Sequence, residues 1–157
     1  LLMLKQAEYD KLVIKFRTAH AIAKHNKSFK DYNFICMLDK IKGVDIGDQY
    51  VNDKAVAIMV KNIAAVTRKE VCDKLRESPF FSLTCDGVTD FTGEELENIY
   101  TRMCNGGKVE DMYLFIRSPE STSASDLHLL FREIFESLDL VEVFEKKTVF
   151  VSVLMEL

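Results

Sequence analysis

Hydrophobic positions follow two rhythms along this chain, and the change between them falls near its middle. Leu4, Tyr9, Leu12, Val13 and Phe16 recur at three- and four-residue steps, and Ala19 to Lys24 (AHAIAK) continues with good helix formers, so the spacing predicts a first helix or helix pair. Asn26-Lys27-Ser28 breaks it, after which Ser28 or Asp31 supplies a cap for a second helix with Phe34, Ile35, Leu38 and Ile41 on one stripe. Gly43 and Gly47 bracket a loop from Lys42 to Gln49. From Asn52 a long pattern through Val56, Met59, Val60, Ile63, Val66, Val71, Cys72 and Leu75 carries no Gly or Pro and predicts one helix of several turns. It ends at Ser78-Pro79, because proline disfavours helix in the residue before it.

Beyond Pro79 the period drops to two. Phe81, Leu83 and Cys85 alternate with Ser82, Thr84 and Asp86, the signature of a half-buried strand. Glu97 to Met103 is a second strand, Asn105-Gly106-Gly107 a hairpin turn, and Val109 to Ile116 the returning strand. After the polar loop Ser118 to Ser125, a helix buries Leu127, Leu130, Phe131, Ile134, Phe135 and Leu138, with Ser123 and Asp126 resembling a capping box. Thr148 to Leu154 has the β-branched composition of a buried strand. The expected class is therefore α/β of the α+β kind. A helical segment, residues 1–78, precedes a three-strand antiparallel meander, a helix and a short final strand in residues 79–157.

Charge sharpens this division. Residues 1–77 carry 15 Lys+Arg against 10 Asp+Glu, and residues 78–157 carry 6 against 15, so a net +5 faces a net −9. Lys11, Lys15, Arg17, Lys24, Lys27 and Lys30 form the densest basic run and are the candidate nucleic-acid contacts, through phosphate. A solvated helix surface is the competing reading, and the interleaved Tyr9, Phe16 and Phe29 read as core rather than base-stacking platforms. Cys36, Cys72, Cys85 and Cys104 lie far apart, with no C-x-x-C pair or histidine at ligand spacing, which reads as reduced core thiols rather than a zinc site. His20 and His25 are not an i, i+4 pair, and His128 reads as a surface residue. No apolar run approaches the roughly 20 residues a membrane span needs, so no membrane is expected as a partner.

Phe81-Ser82-Leu83-Thr84-Cys85-Asp86-Gly87-Val88-Thr89-Asp90 resembles the first catalytic-strand motif of hAT-family transposases and their domesticated relatives, a hydrophobic strand running into Asp-Gly and then Thr. Ala21-Ile22-Ala23-Lys24 and Asn26-Lys27-Ser28-Phe29 resemble the family's upstream helical motif, and the Asn52 to Leu75 helix stands where that family has its last helix before the strand. The likeness covers most of residues 17–147 and implies a ribonuclease-H-like domain. In such domains three acids hold two divalent ions for phosphodiester cleavage, with Mg2+ or Mn2+ as the hard cations. By resemblance Asp86 is the first acid.

The resemblance also implies a second acid after the helix, in a segment like G-x-x-x-D-G-A, where this chain has Val149-Phe150-Val151-Ser152-Val153-Leu154-Met155-Glu156-Leu157. A third acid is expected farther downstream. The expectation is accordingly an incomplete ribonuclease-H-like domain in which Asp86 is a catalytic remnant, no cofactor is bound, and Mg2+ or Mn2+ belongs only to an intact family member. The opening leucine fits a sequence cut from something larger. The function expected is binding of DNA, chromatin or a protein partner, including a second copy, in the nucleus, with a cytoplasmic location as the alternative. Against it stands a truncated product acting only through helical protein contacts, or without stable function; some domesticated relatives act in the SUMO pathway. Asp86-Gly87 read alone is a turn pair, and Asp90 with Glu94, Glu95 and Glu97 reads as a solvated loop.

Overall fold

The computed structural model describes residues 5–121 and 123–154, and for 148–154 the backbone alone. The chain divides into two compact units, Leu1–Thr67 and Arg68–Leu157, and the division falls inside a helix rather than after it.

In the first unit, α1 (Gln6–Lys24) is a single helix, and α2 (Phe29–Ile41) starts at Ser28, whose hydroxyl accepts from Lys30 N. The expected faces of both are rotated. On α1 the buried positions are Lys15, Ala19 and Ile22, while Tyr9 is 54% exposed and Leu12, Val13 and Phe16 are half-buried; Leu4 lies outside the described residues. On α2 Tyr32 and Cys36 are buried, and Phe34 and Ile41 face solvent. The reason is the same in both helices: close helix packing favours a small or well-fitting residue at the contact over the largest apolar stripe. Ala19, Ile22, Tyr32 and Cys36 make that contact, joined by Val56 and Met59 of α3 (Asp53–Glu77) and by Ile46 from the loop. Asn52 caps α3 by accepting from Ala55 N at 2.8 Å.

α3 runs unbroken past the division. Its buried residues include Val56 and Met59 toward one end and Val71, Cys72 and Leu75 toward the other, whereas Val66 between them is 60% exposed. Val71, Cys72 and Leu75 belong to the core of the second unit, which is why the unit boundary precedes Pro79.

The second unit is built on β1 (Phe81–Thr89), β2 (Glu95–Asn105), β3 (Lys108–Arg117) and β4 (Thr148–Leu154), with α4 (Ala124–Ser137) and α5 (Val141–Lys147) between β3 and β4. Among the described residues these strands form one mixed sheet in the order β3-β2-β1-β4, antiparallel across the meander and parallel between β1 and β4. Gly106 and Gly107 both take positive φ, 58° and 82°, which lets a two-residue turn match the twist of β2 and β3. Phe81, Leu83 and Cys85 of β1 and Ile99 and Met103 of β2 face the core with Leu127, Leu130, Phe131, Ile134 and Phe135 of α4. Ser123 caps α4 by accepting from Asp126 N. Phe135 stacks on Phe81 at 5.8 Å and meets Phe144 at 4.9 Å. That last ring sits on α5, a helix the hydrophobic rhythm does not announce because its seven residues are too few to show a period.

Candidate functional site

Asp86 is the last residue of β1 paired with β4, and the alternation places it with Ser82 and Thr84 on the face opposite the Phe81, Leu83 and Cys85 core. Its Cα partners are Asn98 on β2 and Leu154 on β4. The carboxylate is half-buried, beside one neutral polar residue and one leucine in register.

One residue farther along, Gly87 leaves the space that a second carboxylate fills. Glu97 lies across from it on β2, and a Cβ built on Gly87 would stand 3.2 Å from Glu97 Oε1. Glu97 is 4% exposed, in phase with Ile99, Thr101 and Met103, and its Oε2 has no hydrogen-bond partner among the described residues. Burial pushes this carboxyl above the ordinary glutamate range; a hydrogen bond from the Cys85 thiol pulls the other way, and the Asp86 and Glu95 charges push it up again. Cys85 in turn is pushed up to about 11, by burial first and then by the Glu97 charge.

The expected solvated loop of Asp90, Glu94, Glu95 and Glu97 is shorter than that: Glu95 is exposed but already in β2, paired with Thr89, and Glu97 is a buried position of the same strand. The signal was present, since Glu97 keeps the two-residue phase of β2, but a carboxylate at a core position runs against every burial preference. Asp90 does belong to a turn, where Oδ1 accepts from Thr92 N at 2.7 Å, Thr92 Oγ1 at 2.6 Å and Glu94 N at 3.1 Å.

The basic run does not act as one surface. Lys11 is paired with Glu8 at 3.4 Å and Asp45 at 3.1 Å. Lys15 is 4% exposed under the Tyr50 ring. Arg17, Lys24, Lys27 and Lys30 are exposed and free of ion pairs among the described residues. The break follows from helical geometry: Lys11 and Lys15 are four apart and share the inward face of α1, while Arg17 and Lys24 lie seven apart on another. The same helix turns an apolar strip outward, where Tyr9, Leu12, Val13 and Phe16 with Ile63 of α3 line an open groove of about 560 Å³ rimmed by Arg17 and His20.

Among the described residues, no group of three or more His, Cys, Asp or Glu side chains is arranged to hold a metal ion, and no helix is long and apolar enough to cross a membrane. Cys36, Cys72 and Cys85 are free and buried, and Cys104 is free and partly buried. No protein-family model matches the chain.

Proposed function

We propose that the chain acts by binding, in the nucleus, through its first unit, and that its second unit is a ribonuclease-H-like scaffold of the hAT transposase type that does not cut phosphodiester bonds. The observation that carries this reading is the sheet itself: order β3-β2-β1-β4, β1 parallel to β4, and Asp86 at the last β1 position beside β4. A ribonuclease-H-like site places its first two acids on two such neighbouring parallel strands, and in β1 the pairing with β4 stops at Asp86 although the strand itself runs on to Thr89. Here the residue in register with Asp86 on β4 is Leu154, which offers no ligand to a cation. Two-metal catalysis needs several carboxylates around each ion pair, and Glu97 projects to the other face of the sheet from Asp86. Binding to DNA or chromatin would then fall to Arg17, Lys24, Lys27 and Lys30.

The test is incubation of the chain with supercoiled and nicked DNA in Mg2+ or Mn2+. No cleavage or strand transfer is expected, and Asp86→Asn should leave DNA binding unchanged. Metal-dependent cleavage that disappears in Asp86→Asn would overturn the reading.

The outward strip on α1 favours a second reading, in which the helical unit contacts a protein. A groove with an apolar floor and the cationic Arg17 on its rim suits the apolar face of an amphipathic helix with acidic flanks. Saturable binding of such a peptide, lost in Val13→Glu with the melting temperature unchanged, is the result this reading requires.

A further inference from the structure

α1 has two apolar faces. One, through Ala19 and Ile22, packs into the core of the first unit; the other, Tyr9, Leu12, Val13 and Phe16, looks out over the groove shared with Ile63 of α3. Along the outward face Gln6, Tyr9, Val13, Phe16 and His20 follow one another at alternating steps of three and four, the spacing that holds one seam of a helix toward a partner helix.

Asp10 and Arg17, both exposed, lie seven apart and so share one edge of that seam. Neither makes an ion pair among the described residues, and Asp10 accepts from Gln6 Nε2 at 2.8 Å. The helix therefore carries an unmatched acid toward its N-terminal end and an unmatched cation toward its C-terminal end. It is itself an amphipathic helix with an acidic flank, the kind of occupant the groove suits.

On the reading of this groove as a protein contact, we infer that a second copy of the chain occupies it. α1 packs antiparallel on α1 about a two-fold axis, with Val13 of each copy opposite Phe16 of the other, Tyr9 opposite His20, and Asp10 opposite Arg17. A two-fold axis repeats every contact, so one register forms both Asp10–Arg17 pairs at once. A parallel pair would set Asp10 level with Asp10 and Arg17 with Arg17, and would align the helix dipoles unfavourably. Exposed ion pairs add little affinity, so the apolar seam holds the copies together while the charges choose direction and register. His20, a polar residue on the seam, restricts the register further. Of the four exposed cations named above, the pairing engages Arg17 alone.

The test is sedimentation of the full chain over a hundredfold range of concentration. The parent should pass from monomer to dimer, and Val13→Glu should remain monomeric. Asp10→Arg and Arg17→Asp should each associate at least tenfold more weakly, because like charges then meet at both pairs. An equimolar mixture of these two variants should recover the parent's affinity, because opposite charges meet again; this gain cannot come from variants that fold poorly. In the unmodified chain, isotope-filtered NOEs in a mixed labelled and unlabelled sample should join the Val13 methyls to the Phe16 ring. A mixture no tighter than either variant alone, or a dimer undiminished in Val13→Glu, would overturn the inference. A monomeric parent that still binds the acidic-flanked peptide would overturn the self-pairing alone, whereas a monomeric parent that does not bind it would remove the protein-contact reading as well.

Discussion

At the scale of single residues, Glu97 is the sharpest departure from what composition allows. A carboxylate 4% exposed, with one oxygen bonded to no partner among the described residues, costs the fold about 1–3 kcal/mol relative to a satisfied group. Because burial raises its pKa above the unfolded value, the folded state holds this proton more tightly than the unfolded chain does. The associated stability is complete below the ordinary glutamate range and declines as pH rises through the raised value. Glu97→Gln keeps the shape and removes the charge, so it should stabilise the second unit by about 1 kcal/mol at pH values where the carboxyl is ionised. It should also flatten the fall in stability as pH rises above the ordinary glutamate range, read as urea midpoints at several pH values; a variant with the same pH profile as the parent would show that the carboxyl is solvated after all. Gly87 tests the same contact from the other strand. Gly87→Ala brings a methyl to 3.2 Å from Glu97 Oε1 and should destabilise, and that cost should shrink by about 0.5 kcal/mol or more when Glu97 is alanine. Additive effects in this double-mutant cycle would mean that the two side chains do not share the space.

At the scale of elements, the central contrast is between faces chosen by pattern and faces chosen by fit. On α4 the two agree: its stripe Leu127, Leu130, Phe131, Ile134 and Phe135 is buried, and Phe135 is fully enclosed between Phe81 and Phe144. Phe135→Ala should therefore cost about 3–5 kcal/mol in urea unfolding, the range for emptying an aromatic site in a packed core. On α2 they disagree, since Phe34 from the expected stripe is 60% exposed, and Phe34→Ala should shift stability by no more than about 0.5 kcal/mol. Equal losses in the two variants would place Phe34 in a core and restore the stripe read from sequence. The same contrast sets what could be read from the chain beforehand. β1, the glycine turn at Gly106-Gly107, the Ser28 and Ser123 caps and the length of α3 were legible, because each depends on local spacing or on one backbone requirement. The inward faces of α1 and α2, the core role of Ile46 and the short α5 were not, because they depend on which distant residues meet. For the candidate site, Asp86 was legible as an acid on β1 but neither as the end of the strand nor as a turn residue, because β1 continues through Gly87 to Thr89 in register with β2. Its neighbours were less so: the register that sets Leu154 beside it and the depth of Glu97 are properties of paired strands, which one strand's sequence does not contain.

At the scale of the whole molecule, charge decides how nucleic acid can be met. Drawn at the structural division, residues 1–67 carry 11 Lys+Arg against 7 Asp+Glu, a net +4, and residues 68–157 carry 10 against 18, a net −8. A chain of this kind has no general attraction for DNA; any binding must come from a local cluster working against the field of the rest. With Lys11 ion-paired and Lys15 buried, Arg17, Lys24, Lys27 and Lys30 remain of the six basic residues. If all four reach phosphates, the slope of log affinity against log salt should be about −3 to −4, and affinity should fall roughly a hundredfold between 50 and 200 mM salt. Replacing one of them with glutamine should reduce that slope by about 1 with no sequence preference, and replacing all four should abolish binding. Lys15→Met should leave both affinity and slope unchanged, which separates the exposed cluster from the buried ammonium on the same helix. Fluorescence anisotropy with a short labelled duplex across a salt series measures all three. A slope that survives the fourfold substitution would move the nucleic-acid surface off the helical unit, and a loss in Lys15→Met would mean that α1 turns its inward face to the DNA.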